Sequence, residues 1–410
     1  MHSALDYDIV VVGAGPAGSI AAYETARAGH NTLLLEKFNL PREKPCGGAV
    51  MYRGLQIIHG EIPFNLIERP IYGMRFVLPS GDEPEFVSEK LIGITVCRSK
   101  FDEYLARRAE AAGAELLEGA RVVDVSTSAD YARVKTQDDQ EFTSKIIVGA
   151  DGVNSVVSRA LGLRPERKDP YKVGLGMESD FYVGADGVMK AMNGNPGILE
   201  IIPVDGRVSY GWVFPKREHL AIGIAGSSVH MHPLRPQFES FLKQMETRLG
   251  LSLKPERRRT YFLGGDGLGS QNVVSRALLI GDAAGFVDPL MGEGIAYAMR
   301  SGQFAAHVID RCLKENRFDE KILMNYQRLC NDEFASNFAL AAWAGIKGTS
   351  LAASMLPRVS GHKLASDIMA GLARGELGYS DIPATIFRKL PRELPNIIRR
   401  VVQARMINGS

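Results

Sequence analysis

The stretch from Tyr7 to Glu36 constrains this chain of 410 residues more than any other. Tyr7 to Val12 is a continuous apolar run, the pattern of a strand buried on both faces of a parallel sheet. Gly13, Gly15 and Gly18 follow at G-x-G-x-x-G spacing, with Ala17 among them. SIAAYETARAG then reads as a helix ending at Gly29, and NTLLLEK as a second strand carrying Glu36. Each glycine has a purpose in such a unit. Gly13 permits the tight turn, Gly15 lets a pyrophosphate reach the backbone, and Gly18 lets helix and strand pack closely. The helix N-terminus faces the phosphates, and Glu36, close to the expected ~20 residues downstream, accepts hydrogen bonds from an adenosine ribose. Strand, motif, helix and terminal acid together predict a bound dinucleotide.

Two later segments decide which one. IIVGADGVNSVVSRALG (146–162) gives a strand, the pair Asp151–Gly152 and a helix. SRALLIGDAAGFVDPLMGEGIAYAMRSGQFAA (275–306) gives another strand, Gly281–Asp282, a turn at Pro289 and a helix begun by GEG. A nicotinamide dehydrogenase has no need of this second half. In order and spacing the three segments resemble the FAD-binding fold of aromatic hydroxylases. That resemblance implies a ribityl contact from Asp282, and backbone at Gly294 and Ile295 that stabilises negative charge at the flavin N1–O2 edge. It also implies that Asp151 lies near the pyrophosphate and the approach of the reductant, that Arg98 holds the FAD phosphates or ribityl, and that Val123 lies against the adenine. A surface arginine at a helix start is the plain alternative for Arg98.

YGMRFVLPSG, EPEFVSE and residues 166–262 alternate apolar and polar positions between turn signals, which predicts an antiparallel sheet. The expected architecture is α/β: a Rossmann-like FAD-binding domain (1–75, 98–165 and 263–310), an inserted antiparallel-sheet substrate domain (76–97 and 166–262), and a C-terminal helical region (311–410). The inserted sheet forms a wall over the flavin, where substrate would lie.

EKPCGGAV (43–50) and YGWVFPKREHLAIGIAG (210–226) narrow the reading further. Together they resemble the geranylgeranyl reductase family, whose members saturate C=C bonds in polyprenyl chains of lipids, quinones or chlorophyll precursors. The family carries Pro-Cys-Gly-Gly beside the flavin and Tyr-x-Trp-x-Phe-Pro, followed by a short glycine motif, in the substrate wall. Here that glycine motif reads Gly223–Ile224–Ala225–Gly226, with its second glycine displaced. Tyr210, Trp212 and Phe214 alternate along a strand and so share one face, forming either an apolar slot for a prenyl chain, with Pro215 at its turn, or an ordinary sheet core. Gly47 and Gly48 would let the backbone approach the flavin. Cys46 would then face the alkene as proton donor, or simply pack on the cofactor. A thiol, with a reference pKa near ~8.5, is mostly protonated at neutral pH and suits an acid.

Three other functions share parts of this pattern. Flavin monooxygenases and halogenases use the same FAD segments, but the Trp-x-Trp-x-x-Ile-Pro pattern of a halogenase is not present in the sequence. Prenyl-protein escort proteins use the fold without redox chemistry. A single Rossmann fingerprint leaves the reductant, NADPH, NADH or a ferredoxin-like protein, to dock transiently.

The net charge of +2, from 49 basic and 47 acidic residues, argues against nucleic acid as a partner. Four cysteines without a Cys-x-x-Cys pair, and a start without an export signal, predict a cytoplasmic protein. Cys97, Cys312 and Cys330 read as small buried hydrophobes. FALAAWAGIKGTSLAASML is too interrupted to span a membrane. In the last stretch Leu390, Leu394, Ile397, Ile398 and Val401 share one helical face, with Arg388, Lys389, Arg392, Arg399, Arg400 and Arg405 around them. Such an end suits either peripheral contact with an anionic membrane or docking on its own domain. His230 and His232 sit two apart, but with no third ligand nearby they predict a solvated turn rather than a metal site.

Overall fold

The computed structural model describes residues 5–163, 173–204, 209–229, 231–264, 267–288, 292–347, 359–360 and 362–388. Its first sheet is built around the strand Tyr7–Val12, which pairs in parallel with Thr32–Leu35 on one side and Glu141–Gly149 on the other. Parallel strands Glu115–Leu117 and Ala277–Leu279 extend it in the two directions. Ile9, Val10 and Val11 are fully buried, because helices and loops cover both faces, and only Tyr7 and Asp8 at the strand's start are partly open to water. The helices Pro16–Arg27, Arg98–Ala111 and Ile295–Glu315 pack together beside it.

The second sheet has seven strands, in the order Arg259–Gly264, Val173–Tyr182, His219–Ser227, Ser209–Pro215, Ile198–Pro203, Gly73–Phe76 and Glu85–Val87. Neighbours are antiparallel except Ile198–Pro203 with Gly73–Phe76, which run parallel. The helix Leu234–Leu249 covers one face with Phe238, Phe241, Leu242 and Met245, all buried. The opposite face, bearing the aromatic row, is turned to a large cleft between this sheet and the first. The α/β architecture with an inserted wall is therefore as the sequence predicts. Two boundaries differ. The one expected at residue 75 falls inside Gly73–Phe76, whose ladder bonds lie wholly in the wall, and the one at 310 falls inside the unbroken helix Ile295–Glu315.

A small third sheet, Ala49–Met51 with Gly93–Val96 and Ile67–Ile71, lies where the first sheet meets the wall. It carries the Pro-Cys-Gly-Gly loop on its leading edge. In the C-terminal region the helices Glu320–Lys347 and Lys363–Arg374 are described. His230, Pro289 and the basic segment from Lys389 onward lie outside the described residues, while His232 is exposed. Among the described residues no helix is long and apolar enough to cross a membrane, and no three His, Cys, Asp or Glu side chains gather as metal ligands.

Candidate active site

The glycine turn at the end of the first strand is steric in origin. Gly13 has φ of +109°, and a Cβ there would stand 2.5 Å from the Ala150 carbonyl oxygen. A Cβ on Gly18 would stand 1.9 Å from the Gly13 oxygen, so strand and helix touch through bare backbone. Gly15 is different. Its nearest neighbour would be an Arg42 nitrogen at 3.8 Å, so its backbone faces open space at the start of the helix, where N–H groups are free to meet an anion.

Glu36 is buried and accepts hydrogen bonds from Ala14 N–H (3.1 Å) and Phe38 N–H (3.2 Å), so it braces the turn as well as facing the cleft. Arg42 lies 3.4 Å from Glu36 and donates to Asp102 at 2.8 Å. Arg98, the first residue of its helix, grips the same carboxylate at 2.8 and 2.9 Å and reaches the Cys46 side chain. Asp102 has no exposure, and the two guanidiniums beside it hold its carboxyl below the usual range against the opposing effect of burial. A buried ladder of alternating charge, Glu36–Arg42–Asp102–Arg98, thus runs from the end of the second strand to the thiol.

The other expected positions fall along the same cleft, with two exceptions. Asp151, Asp282, Gly294 and Ile295 border it, the last two at the start of a helix of 21 residues. Asp151 Oδ2 accepts from Val156 N–H (2.6 Å), whereas Oδ1 is buried without a partner among the described residues, and burial pushes its carboxyl up. Val123 is a correction: its side chain is 47% exposed, and the neighbouring Val122 is the one that borders the cleft, since strand residues alternate sides. Pro215 is the other. It stands outside the cleft, and its carbonyl accepts from the Thr95 hydroxyl at 2.8 Å, tying wall to small sheet. Arg53, which sequence reading missed, forms a half-buried pair with Glu293 and stacks 4.5 Å over the Tyr297 ring.

The glycines beside Cys46 answer to the wall. A Cβ on Gly47 would meet Phe214 Cδ2 at 2.6 Å and Trp212 Nε1 at 2.8 Å. Gly48, with φ of +70°, would meet the Val96 carbonyl oxygen at 2.2 Å. The loop is clamped by Lys216, whose buried Nζ donates to the carbonyls of Gly47 and Val96, both at 2.7 Å. Burial pushes the Lys216 ammonium below its usual pKa. On the other side, Cys46 N–H donates to the buried carboxylate of Glu178. Cys46 is half-buried, and its sulfur accepts from Gly48 N–H at 3.4 Å. Of the remaining thiols, Cys312 and Cys330 lie in the main core, and Cys97 donates to Glu68 at 3.3 Å.

Tyr210, Trp212 and Phe214 form the expected row, with ring centroids 6.0 and 6.1 Å apart, all bordering the cleft. Past them the cleft turns apolar, between Met74, Phe76 and Leu199 of the wall and Met369, Leu372 and Ala373 of the helix Lys363–Arg374. No motif marks that helix; the 3.6-residue spacing of its apolar side chains was the available signal. The whole cavity measures about 1190 Å³.

A glycine cradle, a helix start aimed at it, an acid at the second strand's end and an unpartnered buried carboxyl oxygen fit FAD, and define an FAD-dependent oxidoreductase. Residues 94–336 match the FAD binding domain family and residues 8–160 the FAD dependent oxidoreductase family. The chain is 32% identical over 326 residues to a menaquinone reductase of Mycobacterium tuberculosis, covering 74% of this chain and 76% of that one. It is 30% identical over 342 residues to a digeranylgeranylglycerophospholipid reductase of Methanocaldococcus jannaschii, covering 78% and 81%. The crystal structure of a geranylgeranyl bacteriochlorophyll reductase-like protein of Thermoplasma acidophilum shares the fold, with a TM-score of 0.75, 23% identity and coverage of 95% and 99%. The chain belongs to the geranylgeranyl reductase family of FAD-dependent oxidoreductases.

Proposed function

We propose that this enzyme saturates C=C double bonds in a geranylgeranyl or other polyprenyl chain. The observation that carries the reading is the shape of the cleft: one continuous cavity joins the dinucleotide cradle to an apolar slot, with Cys46 at the junction. At about 1190 Å³ it exceeds the ~300–1,000 Å³ of an ordinary ligand site, so cofactor and a second, apolar molecule fit together. Bound FAD supplies the hydride. The chain's own residues do the rest. Gly13, Gly15 and Ala17 would receive the pyrophosphate, with Gly18 seating the helix against the strand behind them, and Glu36 would take the ribose. Asp151 and Asp282 would hold the middle of the cofactor, and the helix start at Gly294 and Ile295 would stabilise negative charge on its flavin. Arg98 acts through Asp102 and Arg42, aligning this end of the cleft with Cys46.

An isolated alkene has no polar handle, so orientation must supply much of the rate. Tyr210, Trp212 and Phe214 present flat apolar faces on one side of the slot, and Met369 and Leu372 close the other and exclude water. Cys46 delivers a proton to the carbon opposite the hydride. A slot lined mainly by apolar side chains favours this over the monooxygenase and halogenase readings. Electrons come from NAD(P)H or a ferredoxin-like protein docking transiently, and the basic C-terminal segment brings the enzyme to the surface of an anionic membrane where such a lipid resides.

The test is a single anaerobic turnover. The bound cofactor is reduced, a geranylgeranyl lipid is added without oxygen, and flavin absorbance is followed. Reoxidation on adding the lipid, and none with its fully saturated analogue, is the expected result; equal traces for the two lipids would refute it.

A further inference from the structure

One buried acid at the site is not used above. Glu178, in the strand Val173–Tyr182, is only 3% exposed, and one of its oxygens holds Cys46 N–H. The other oxygen, Oε2, is buried with no partner among the described residues. A buried carboxylate in that condition is costly and is not needed to hold a loop that Lys216 already clamps.

Sheet register shows where Glu178 points. Glu178 stands opposite Gly223, and Gly223 opposite Trp212, so the three form one row across the wall and face the same side, the side of the cleft. Gly223 leaves room in the middle: a Cβ there would lie 2.2 Å from the Trp212 ring. Trp212 Nε1, close against Gly47, is likewise buried with no acceptor among the described residues. An unpartnered acceptor and an unpartnered donor therefore flank the Cys46–Gly47 loop from one row of the wall.

We propose that Glu178 is a positioning residue that also keeps Cys46 supplied with protons: it holds the loop through Cys46 N–H and, as the neutral acid, returns a proton to the thiolate after each saturation. This rests on the reading of Cys46 given above. Per double bond, the S–H bond of Cys46 breaks as a C–H bond forms. The O–H bond of Glu178 then breaks as S–H is restored, and water reprotonates the carboxylate. The accompanying hydride belongs to the cofactor, so one hydride and one proton are consumed for each bond reduced.

The surroundings suit an acid that changes state near neutrality. Burial pushes the Glu178 carboxyl up to about 7, and Asp180 on the same strand adds to the rise. Arg259 on the edge strand, Lys216 beyond the aromatic row, and the N–H of Cys46 oppose it. The Tyr261 hydroxyl also faces it, its own ionisation suppressed by burial and by the Glu178 charge.

Glu178→Gln keeps size and the acceptor for Cys46 N–H but carries no titratable proton. Three measurements on the FAD-loaded protein separate the roles. Alkylation of Cys46 by iodoacetamide, read by mass spectrometry across pH, shows in the wild type an inflection at about 7, as charge appearing on Glu178 opposes the thiolate; in E178Q that inflection is absent. Superimposable profiles would overturn the proposal, whatever substrate the enzyme uses. Lipid saturation over many turnovers falls about a hundredfold in E178Q, the low end for general acid catalysis, while the first bond, which draws on the proton already on Cys46, is saturated at the wild-type rate; an unchanged multiple-turnover rate would overturn it. Should E178Q fail to bind FAD, infrared difference spectra of the wild type decide: a protonated carboxyl lost around pH 7 is expected, and no carboxyl titrating there refutes it.

Discussion

Replacing Lys216 by Met tests how the Cys46 loop is held. The ammonium bonds two backbone carbonyls, Gly47 and Val96, at 2.7 Å each, and both are buried beneath the aromatic row. Methionine fills the space but leaves both oxygens without a donor, at about 1–3 kcal/mol each. The clamp therefore weakens by about 2 kcal/mol or more, which at about 1.4 kcal/mol per tenfold raises loop opening about 30-fold. Global stability responds less, because removing a buried ammonium also removes its desolvation cost, visible in the lowered Lys216 pKa. The assay is hydrogen–deuterium exchange of the segments containing Cys46 and Val96, whose amides donate to Glu178 and to the Gly48 carbonyl. Exchange at these amides should rise about 30-fold, with the core strand Tyr7–Val12 unchanged. Wild-type exchange at both amides would refute the clamp.

Three further outcomes follow from the geometry. Gly15→Ala should leave the apo fold intact, since a Cβ meets only Arg42, while FAD affinity measured by flavin fluorescence collapses; Gly18→Ala, forced onto the Gly13 oxygen, should instead lower the melting temperature. Leu372→Trp should fill the apolar slot and abolish lipid turnover while the flavin spectrum stays that of the wild type. The raised pKa of Glu178 means the folded protein keeps a proton that the unfolded chain releases. Its stabilising contribution is full below about 4.5 and is lost as pH rises through about 7, a change on the order of 3 kcal/mol. Denaturation midpoints of wild type and E178Q should agree toward low pH, where both side chains are neutral, and separate toward high pH with the wild type the less stable; parallel curves would refute the assignment.

What could be read in the sequence was what is local. Gly13, Gly15, Gly18 and Glu36 lie within one turn-and-return of the chain, and sterics leave few other residues possible at the glycines. The aromatic row was legible because period two places Tyr210, Trp212 and Phe214 on one face whatever the tertiary context. Val123 failed for the same reason: a slip of one position reverses the side, and no motif fixes that parity. Arg42, Glu178 and Lys216 carried no signal, because their partners stand 60, 132 and 169 residues away and only folding joins them. The role expected of Gly47 shifted similarly, since its closest neighbours, Trp212 and Phe214, come from the wall. The helix Lys363–Arg374 is amphipathic like any packed helix, and nothing local says that the face it presents borders a lipid slot.

The central claim is chemical, that the cleft adds hydride and proton across an isolated double bond. It is tested most directly by incubating the reduced enzyme anaerobically with a geranylgeranyl lipid in deuterium oxide and weighing the product. The account predicts a gain of two hydrogen-isotope atoms for each bond saturated, at least one of them deuterium delivered through Cys46. A lipid recovered with its mass unchanged, or a product that has gained an oxygen or halogen once air or halide is admitted, would contradict it.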